Sequence, residues 1–331
     1  MTNPQPAGAI LIRVKLEDHH QDAIQKAAPN AHLIILTEDQ NELVKKIDEY
    51  MPAVEVALFS PSRDRILLPH ILKGPNLRWI QQIAAGVDWL MNYPKVVESD
   101  LILTSASGIH AIPVSEHILA LMLNLARDIQ RSLRDQIKHN WNRDHSVTEI
   151  EGSVMGLIGV GRIGEKVAEK AKRLNMRVLG IRRNPERASP WVDQMYGPES
   201  LLEMLAQADF VVITAPLTPE TRGMIGEREL KAMKKSACLI NSARGSVIQE
   251  KALHDALREG WIAGAGLDVF EDEPLPQNSP FWDMSNVIIT AHYSWTSPKN
   301  NDRLVELFTE NLRRYRLGEP LINRLDKRRG Y

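Results

Sequence analysis

The chain has 331 residues, of which 43% are apolar and 25% charged, and its formal net charge is −1. This length predicts about two domains, and the composition is that of an ordinary globular protein. Near-neutral charge provides no basic field for nucleic acid or an anionic membrane, so we expect neither as a partner. The single cysteine, Cys238, excludes an intrachain disulfide and leaves too few thiolates for a zinc or iron–sulfur site.

The sequence contains no recognisable targeting or membrane segment. Its first ten residues, MTNPQPAGAI, lack a charged region followed by an apolar run, so they do not resemble a signal peptide. The longest apolar run, residues 118–126, is far too short to span a bilayer. We therefore expect a cytoplasmic protein.

The first third of the chain alternates between strand-like and helix-like patterns. Runs rich in valine, isoleucine and leucine predict strands at residues 10–16, 32–37, 55–60, 78–86 and 101–107. Between them lie stretches with apolar residues at helical spacing, such as NELVKKIDEYM at residues 41–51. This alternation predicts a parallel α/β domain.

A long helix is predicted to begin at Pro113, because proline is favoured in the first helical turn. Its apolar residues form one stripe, which comprises Ile118, Leu121, Met122, Leu125 and Ile129. We interpret the stripe as protein core or as a dimer interface. Because a large apolar helix face is unusual on a soluble monomer, it favours a homodimer.

The alternation begins again after Gly152. Strands are predicted at residues 153–160, 177–181, 209–215, 236–243, 263–269 and 286–292. Helices are predicted at residues 161–175, 198–207, 226–234 and 249–259, the last of which ends at Gly260. Two such series predict two doubly wound parallel-sheet domains, with ligands at the carboxyl ends of the strands.

The most informative local motif is Gly159-x-Gly161-x-x-Gly164, in which Arg162 and Ile163 occupy the last two variable positions. It follows a predicted strand and begins a helix, which is the context of a dinucleotide-binding turn. Glycines let the backbone approach a pyrophosphate, and the helix N-terminus offers unpaired N–H donors. The alternative is a tight strand–helix turn that binds no nucleotide.

The stretch VLGIRRN, residues 178–184, ends the next predicted strand. NAD enzymes usually carry an acidic residue at this point, which accepts hydrogen bonds from the ribose hydroxyls. Here Arg182 and Arg183 take its place, and arginine suits a phosphate dianion. We therefore expect NADP(H) to be the preferred cofactor, with NAD(H) possible if both arginines are only solvated.

Three side chains that can bind an anion or exchange a proton follow three other predicted strands: Arg244, Glu273 and His292. Taken singly, each has an ordinary structural explanation as a surface arginine, a loop acid or a strand-end histidine. Because the carboxyl ends of parallel strands share one edge of a sheet, we expect the three to lie at one site.

The chain resembles the D-isomer-specific 2-hydroxyacid dehydrogenases over nearly its whole length. The motifs that carry the resemblance are AAGVD (84–88), PVSEH (113–117), GVGRIG (159–164), APLTPETRGMI (215–225), SARG (242–245), GLDVFEDEPLP (266–276) and the His292 strand. The resemblance implies a Rossmann nucleotide-binding domain, residues 105–292, inserted in a discontinuous flavodoxin-like substrate domain of residues 1–104 and 293–331. It also implies a homodimer and no metal.

The family resemblance assigns a role to each group. Arg244 would hold the substrate carboxylate and polarise the keto oxygen, His292 would exchange the proton of that oxygen, and Glu273 would pair with His292. Substrate contacts would come from the backbone amides of Ala85, Gly86 and Val87. The resemblance places Ala215, Pro216 and Asp268 on the nicotinamide side, and Thr221, Ser242 and Ala243 belong to the same cofactor motifs.

Two positions at which this chain differs from particular subgroups of the family narrow the expected substrate. Formate dehydrogenases of this family carry glutamine in place of Glu273, and phosphite dehydrogenases carry lysine in place of Ala85. Small 2-keto acids such as glyoxylate, hydroxypyruvate or pyruvate are therefore expected. Trp295 either borders the substrate pocket or forms core at a domain interface.

A second hypothesis comes from outside enzymes. The family includes dinucleotide-sensing transcriptional corepressors, which keep the three catalytic groups and carry a tryptophan three residues after the histidine, as Trp295 does. Such a protein would bind peptides with little turnover. The chain ends soon after the substrate domain, which favours the enzyme.

Overall fold

The computed structural model describes residues 8–86 and 88–327. The described residues form two compact units, one from Met1–Ile109 with Pro298–Tyr331 and the other from His110–Ser297. The chain therefore passes between the units twice. The sequence places these boundaries after residues 104 and 292, each five residues earlier (109 − 104 and 297 − 292).

The strands of the described residues are all short. They are β1 Ala9–Ile12, β2 Leu33–Ile35, β3 Val54–Phe59, β4 Trp79–Gln82, β5 Ile102–Thr104, β6 Val154–Ile158, β7 Arg177–Ile181, β8 Gln194–Tyr196, β9 Phe210–Ile213, β10 Cys238–Asn241, β11 Gly264–Leu267 and β12 Val287–Ile289. The α-helices are α1 Asp18–Ala27, α2 Gln40–Leu43, α3 Ile47–Tyr50, α4 Leu68–Ile71, α5 Pro94–Glu98, α6 Ala111–Ala126, α7 Ile129–Ile137, α8 Arg162–Arg173, α9 Leu201–Gln207, α10 Glu227–Ala232, α11 Glu250–Glu259 and α12 Asn300–Leu317. Strands and helices alternate in both units, as predicted.

The discontinuous unit is built on a five-stranded parallel sheet of order β2-β1-β3-β4-β5. This is the flavodoxin-like order. Apolar side chains are buried on both faces of the sheet, because helices cover both faces of a parallel sheet. Trp79 is fully buried, and its indole N–H donates to the Thr104 hydroxyl at 2.8 Å.

The inserted unit is built on a seven-stranded parallel sheet of order β12-β11-β10-β9-β6-β7-β8. The chain runs from β6 to β8 in one direction and from β9 to β12 in the other, so the order reverses between β6 and β9. Ligands of doubly wound folds bind in the crevice at the carboxyl ends of the strands, where the order reverses. Two doubly wound parallel sheets confirm the predicted fold class.

The apolar stripe predicted from Pro113 is core rather than an exposed face. Helix α6 begins at Ala111, and Ile118, Leu121, Met122 and Leu125 are buried against the sheet of their own unit. Burial of such side chains stabilises the fold by about 1.5–3 kcal/mol each. Ile129 does not continue the stripe, because the chain turns at Asp128, where φ is 53°, and Ile129 begins α7.

Other elements differ from the sequence expectation. The predicted helix at residues 41–51 is broken into α2 and α3 at Lys46, whose φ of −128° is not helical. The Lys46 ammonium pairs with Glu38 at 2.8 Å. The strand β8 is not predicted. Helix α11 ends at Gly260 with φ 69°, as predicted. None of the helices in the described part of the chain combines the length and the apolarity needed to cross a membrane.

Candidate active site

The glycine-rich turn joins β6 to α8 and depends on its three glycines. Gly159 has a φ of 97°, and a Cβ there would collide with the Ala215 backbone. A Cβ on Gly164 would collide with the carbonyl of Gly159. By contrast, a Cβ built on Gly161 would meet no described residue within 4 Å apart from its own chain neighbours. The first and third glycines therefore let the turn pack, and the second faces space that a ligand can enter.

The two arginines lie beside this turn. Ile158 and Ile181 are partners in the β6–β7 pair, and the amide of Gly159 donates to the carbonyl of Ile181 at 2.9 Å. Arg182, which is half-buried, donates to the carbonyl of Arg187 at 3.0 Å. Arg183 is exposed and lies 3.7 Å from the Glu220 carboxylate. Both cations therefore follow the strand that adjoins the glycine-rich turn. Arg162 is exposed and Ile163 half-buried in the first turn of α8.

The loop after β9 closes on itself. Ala215 is buried and Pro216 exposed, and the Thr221 hydroxyl donates to the carbonyl of Pro216 at 2.6 Å. The same hydroxyl accepts from the amide of Thr218 at 2.8 Å. Thr221 thus fixes the shape of this loop.

Arg244 follows β10, and Asn241 shapes the loop that carries it. The buried side chain of Asn241 accepts from the amide of Ala243 at 3.0 Å and donates to the carbonyl of Arg244 at 3.0 Å. A Cβ on Gly245 would collide with the backbone of Phe270, so the loops after β10 and β11 pack closely. The Arg244 guanidinium, which is half-buried, donates to the carbonyl of Ala243 at 2.8 Å.

His292 and Glu273 form a short polar contact in this region. The Nδ1 atom of His292 lies 2.6 Å from Oε2 of Glu273, whose Oε1 accepts from the amide of Phe270 at 3.1 Å. A carboxylate at Nδ1 fixes the tautomer and leaves Nε2 available for proton exchange. His292 has a φ of 52°, a left-handed conformation that costs an L-residue about 1–2 kcal/mol.

The strained histidine is held by its neighbours. Its amide donates to the carbonyl of Asp268 at 2.8 Å, and its carbonyl accepts from the indole N–H of Trp295 at 2.9 Å. The Trp295 ring packs edge-on against His110, with centroids 5.8 Å apart. Strands β10, β11 and β12 are neighbours, so Arg244, Glu273 and His292 follow three adjacent strands at one edge of the sheet.

The predicted substrate-binding amides belong to the other unit. Ala85 and Gly86 follow β4, and the side chain of Gln82 donates to the carbonyls of Ala84 and Gly86 at 2.9 Å each. The oxygen of Gln82 accepts from the indole N–H of Trp89 at 2.9 Å. This buried amide thus ties two carbonyls of the turn together. Val87, the third predicted residue, lies outside the described residues.

The chain is similar in sequence to a known family and to known proteins. Residues 119–294 match the model of the D-isomer specific 2-hydroxyacid dehydrogenase NAD binding domain. The chain is also 34% identical over 314 residues to a glyoxylate reductase of Korarchaeum cryptofilum, covering 92% of this chain and 89% of that one. The chain belongs to the D-isomer specific 2-hydroxyacid dehydrogenase family. It is an oxidoreductase that transfers hydride between a nicotinamide dinucleotide and a 2-keto or 2-hydroxy acid.

Solved structures of 2-hydroxyacid dehydrogenases have the same fold. The family member from Xanthobacter autotrophicus Py2, determined with NADPH and MES, is 32% identical with a TM-score of 0.80, covering 98% of this chain and 99% of that one. The NADPH-dependent glyoxylate/hydroxypyruvate reductase of Sinorhizobium meliloti, determined with NADP and sulfate, is 26% identical with a TM-score of 0.80, covering 98% of this chain and 100% of that one.

The described residues fit the dinucleotide that 2-hydroxyacid dehydrogenases use. Gly161 faces open space at the N-terminus of α8, and backbone N–H groups at a helix N-terminus suit a pyrophosphate. The hydroxyl oxygen of Ser242 is buried and has no hydrogen-bond partner among the described residues. Arg182 and Arg183 add positive charge at the next strand end. Backbone, hydroxyl and guanidinium donors are thus present for a phosphate-bearing ligand.

Sequence patterns do not reveal several polar residues that shape this dehydrogenase site. Gln82, Asn241, His117 and Thr290 are buried or half-buried, and each hydrogen-bonds to a loop or side chain at a strand end. For Gln82, Asn241 and Thr290 the sequence signal is a polar residue within a predicted apolar strand. His117 lies in the PVSEH motif, which carries the family resemblance without indicating a contact.

Proposed function

We propose that this chain reduces small 2-keto acids of the glyoxylate, hydroxypyruvate or pyruvate type with NADPH, and that Arg244, Glu273 and His292 act on the substrate. The observation that carries the proposal is the 2.6 Å contact between Nδ1 of His292 and Glu273 at the edge of the nucleotide-binding sheet. It orients one imidazole nitrogen for proton exchange.

The roles follow from the chemistry of each side chain. The Arg244 guanidinium would bind the substrate carboxylate and polarise the adjacent keto oxygen. His292 would donate the Nε2 proton to that oxygen as the carbonyl becomes an alcohol, and would remove it in the reverse direction. The nicotinamide supplies or accepts the hydride. Ala85, Gly86 and Val87 would bind the carboxylate, and Gly159, Gly161 and Gly164 would admit the pyrophosphate.

The cofactor preference is supported by charge. Arg182 and Arg183 follow the strand that pairs with β6, where the ribose of the adenosine half is expected. A guanidinium binds a 2′-phosphate with paired, permanently charged donors, whereas an acidic residue there would repel it. Two structural relatives, from Xanthobacter autotrophicus and Sinorhizobium meliloti, were determined with NADPH and NADP respectively.

A matrix of substrates and cofactors tests this proposal. Glyoxylate, hydroxypyruvate and pyruvate are each offered with NADPH and with NADH, and absorbance at the reduced-nicotinamide band is followed. We expect rapid oxidation of NADPH with at least one of the three. Specific peptide binding without useful turnover of any keto acid would instead favour the corepressor hypothesis.

Glu273→Gln should lower kcat by about 10–100-fold, because a neutral amide is a weaker acceptor than a carboxylate and orients the His292 ring less firmly. The Kd for NADPH should be nearly unchanged. Steady-state kinetics and fluorescence titration measure the two quantities. A kcat equal to that of the wild type would show that Glu273 is only a loop residue.

We also propose a homodimer, on a different surface from the predicted stripe. Helix α7 exposes Ile129, Leu133 and Ile137, three apolar residues spaced by four, which are 41%, 53% and 81% exposed. This spacing places them on one helix face. Trp141, which follows, is 87% exposed. A continuous apolar helix face of this kind favours burial against a second copy.

Leu133→Asp should convert the dimer to a monomer, because it places a charge in the centre of that face. Light scattering at micromolar concentration should give twice the chain mass of 37.4 kDa for the wild type and the single mass for the variant. The matched control is Leu317→Asp, which alters a similarly exposed leucine at the end of α12 and should remain dimeric. A monomeric wild type would refute the dimer.

A further inference from the structure

A buried carboxylate organises the turn that follows the catalytic histidine. Asp268 is 1% exposed and lies directly after β11. Its Oδ1 accepts from the Thr290 hydroxyl at 2.6 Å and from the amide of Tyr293 at 3.2 Å, and its Oδ2 accepts from the amide of Ser294 at 3.3 Å. A buried carboxylate needs such partners, and here two of them belong to the turn just after His292.

A second polar chain reaches the same carboxylate from helix α6. The Nε2 atom of His117 lies 2.9 Å from the Thr290 hydroxyl oxygen and 3.6 Å from Oδ1 of Asp268. Because the single hydroxyl hydrogen of Thr290 is donated to Asp268, its oxygen must accept, and Nε2 of His117 must donate. The three side chains thus form one directed hydrogen-bond chain.

The position of His117 favours this arrangement. Its side chain is only 14% exposed, and the edge of its ring meets Tyr293 at a centroid distance of 5.1 Å. Burial lowers the pKa of His117 below its ordinary value, although the Asp268 charge opposes the shift. Near neutral pH the ring is therefore uncharged, and its one N–H is available for Thr290.

We propose that His117 is a positioning residue for His292 and acts through Thr290 and Asp268. The inference rests on the proposed role of His292 as the proton-exchanging group. His292 has a φ of 52°, so its backbone must be held by its surroundings. The chain from His117 fixes the hydroxyl of Thr290, which fixes the Asp268 carboxylate, which in turn holds the amides of Tyr293 and Ser294. Loss of the chain releases the turn and lets the imidazole leave its productive orientation.

The test is a double-mutant cycle on His117→Leu and Thr290→Val, each of which removes a hydrogen-bonding group at similar volume. NADPH-dependent reduction is measured with whichever keto acid the wild type reduces fastest, together with the Kd for NADPH and the Tm. Each single variant should lose roughly tenfold in kcat, because small misplacement of a catalytic group is costly. The Kd for NADPH should stay within about twofold, since the chain does not contact the phosphate-binding turn. The double variant should lose no more than the worse single variant, because both act through one chain.

Conservative variants separate positioning from general packing. Thr290→Ser keeps the hydroxyl and should retain most of kcat, and His117→Asn should recover part of it by offering an N–H donor. His254→Leu, in a partly exposed histidine of α11 that packs on Phe281, controls for the loss of any histidine and should leave kcat unchanged.

If His117→Leu does not fold, the comparison of Thr290→Val with Thr290→Ser still decides the question. Wild-type kcat in His117→Leu or Thr290→Val, or losses that multiply in the double variant, would overturn the proposal. Wild-type-like reduction by His292→Ala would instead refute the proposed role of His292, on which this inference rests, and is measured separately.

Discussion

Replacing His292 with alanine should lower kcat for keto-acid reduction by about 10²–10⁴-fold, the usual contribution of general acid–base catalysis. The Kd for NADPH should be nearly unchanged, because the imidazole acts on the keto oxygen rather than on the dinucleotide. Stopped-flow or steady-state rates with saturating NADPH measure the first quantity, and fluorescence titration measures the second.

We expect a comparable loss of activity when Arg244 is replaced, since Arg244 is proposed to bind the substrate carboxylate while His292 exchanges the proton. Arg244→Lys should be nearly as poor as Arg244→Ala, because an ammonium cannot make the paired contact of a guanidinium with a carboxylate. Both should lower kcat/KM far more than they lower nucleotide affinity.

Two control variants test whether the loss of any arginine or histidine lowers the rate. Arg228→Ala removes an exposed arginine of α10, and His254→Ala removes a histidine of α11. Both should keep wild-type rates. Wild-type-like reduction by His292→Ala would show that another group exchanges the proton, and the assignment of the acid–base residue would be wrong.

The second large effect concerns the cofactor. NADPH should be preferred over NADH mainly through KM, because the phosphate contacts lie far from the hydride and stabilise ground and transition states alike. Hydrogen bonds to charged groups contribute about 1.5–3 kcal/mol each, so the preference should be roughly tenfold to several hundredfold. Arg182→Asp should reverse it, since the carboxylate accepts from a ribose hydroxyl and repels a phosphate. Arg182→Ala should weaken NADPH binding and leave NADH nearly unaffected.

The dependence on ionic strength and a control variant provide two further tests of the cofactor preference. Arg183 is exposed, so raising ionic strength should weaken NADPH binding more than NADH binding. Arg173→Ala removes an exposed arginine at the far end of α8, where it pairs with Glu169, and should leave the NADPH to NADH ratio unchanged. If the wild type uses both cofactors equally, or if Arg182→Ala and Arg183→Ala keep the ratio, the two arginines are solvated surface residues.

Local sequence patterns predict a structural element well where several independent signals coincide. The strand, the glycine turn and the helix around Gly159 are predicted from the sequence, because the Gly-x-Gly-x-x-Gly spacing stands between a strand pattern and a helix pattern. The strand β8 is not predicted, since its three residues alternate polar and apolar character too briefly to distinguish a strand from a loop. The apolar stripe of α6 is evident from the sequence. Its periodicity does not distinguish burial within the same unit from burial against a second chain.

The candidate site likewise contains residues whose position the sequence predicts and contacts that it does not predict. Arg244, Glu273 and His292 follow predicted strands, so parallel-sheet geometry places them at one edge. The hydrogen bond from His117 to Thr290 joins residues 173 positions apart. No local pattern predicts such a contact, because it depends on how α6 packs against β10 and β11. The role of Gln82 is likewise not predictable from the sequence, since its amide hydrogen-bonds to the turn that follows β4.

The most direct test of the central claim is the product formed from hydroxypyruvate and NADPH by the wild-type enzyme. NADPH consumption is followed by absorbance, and the glycerate produced is resolved on a chiral column. A D-isomer-specific enzyme that works through His292 and Arg244 should form one D-glycerate for each NADPH oxidised. Formation of L-glycerate, or NADPH oxidation without glycerate, would contradict the account.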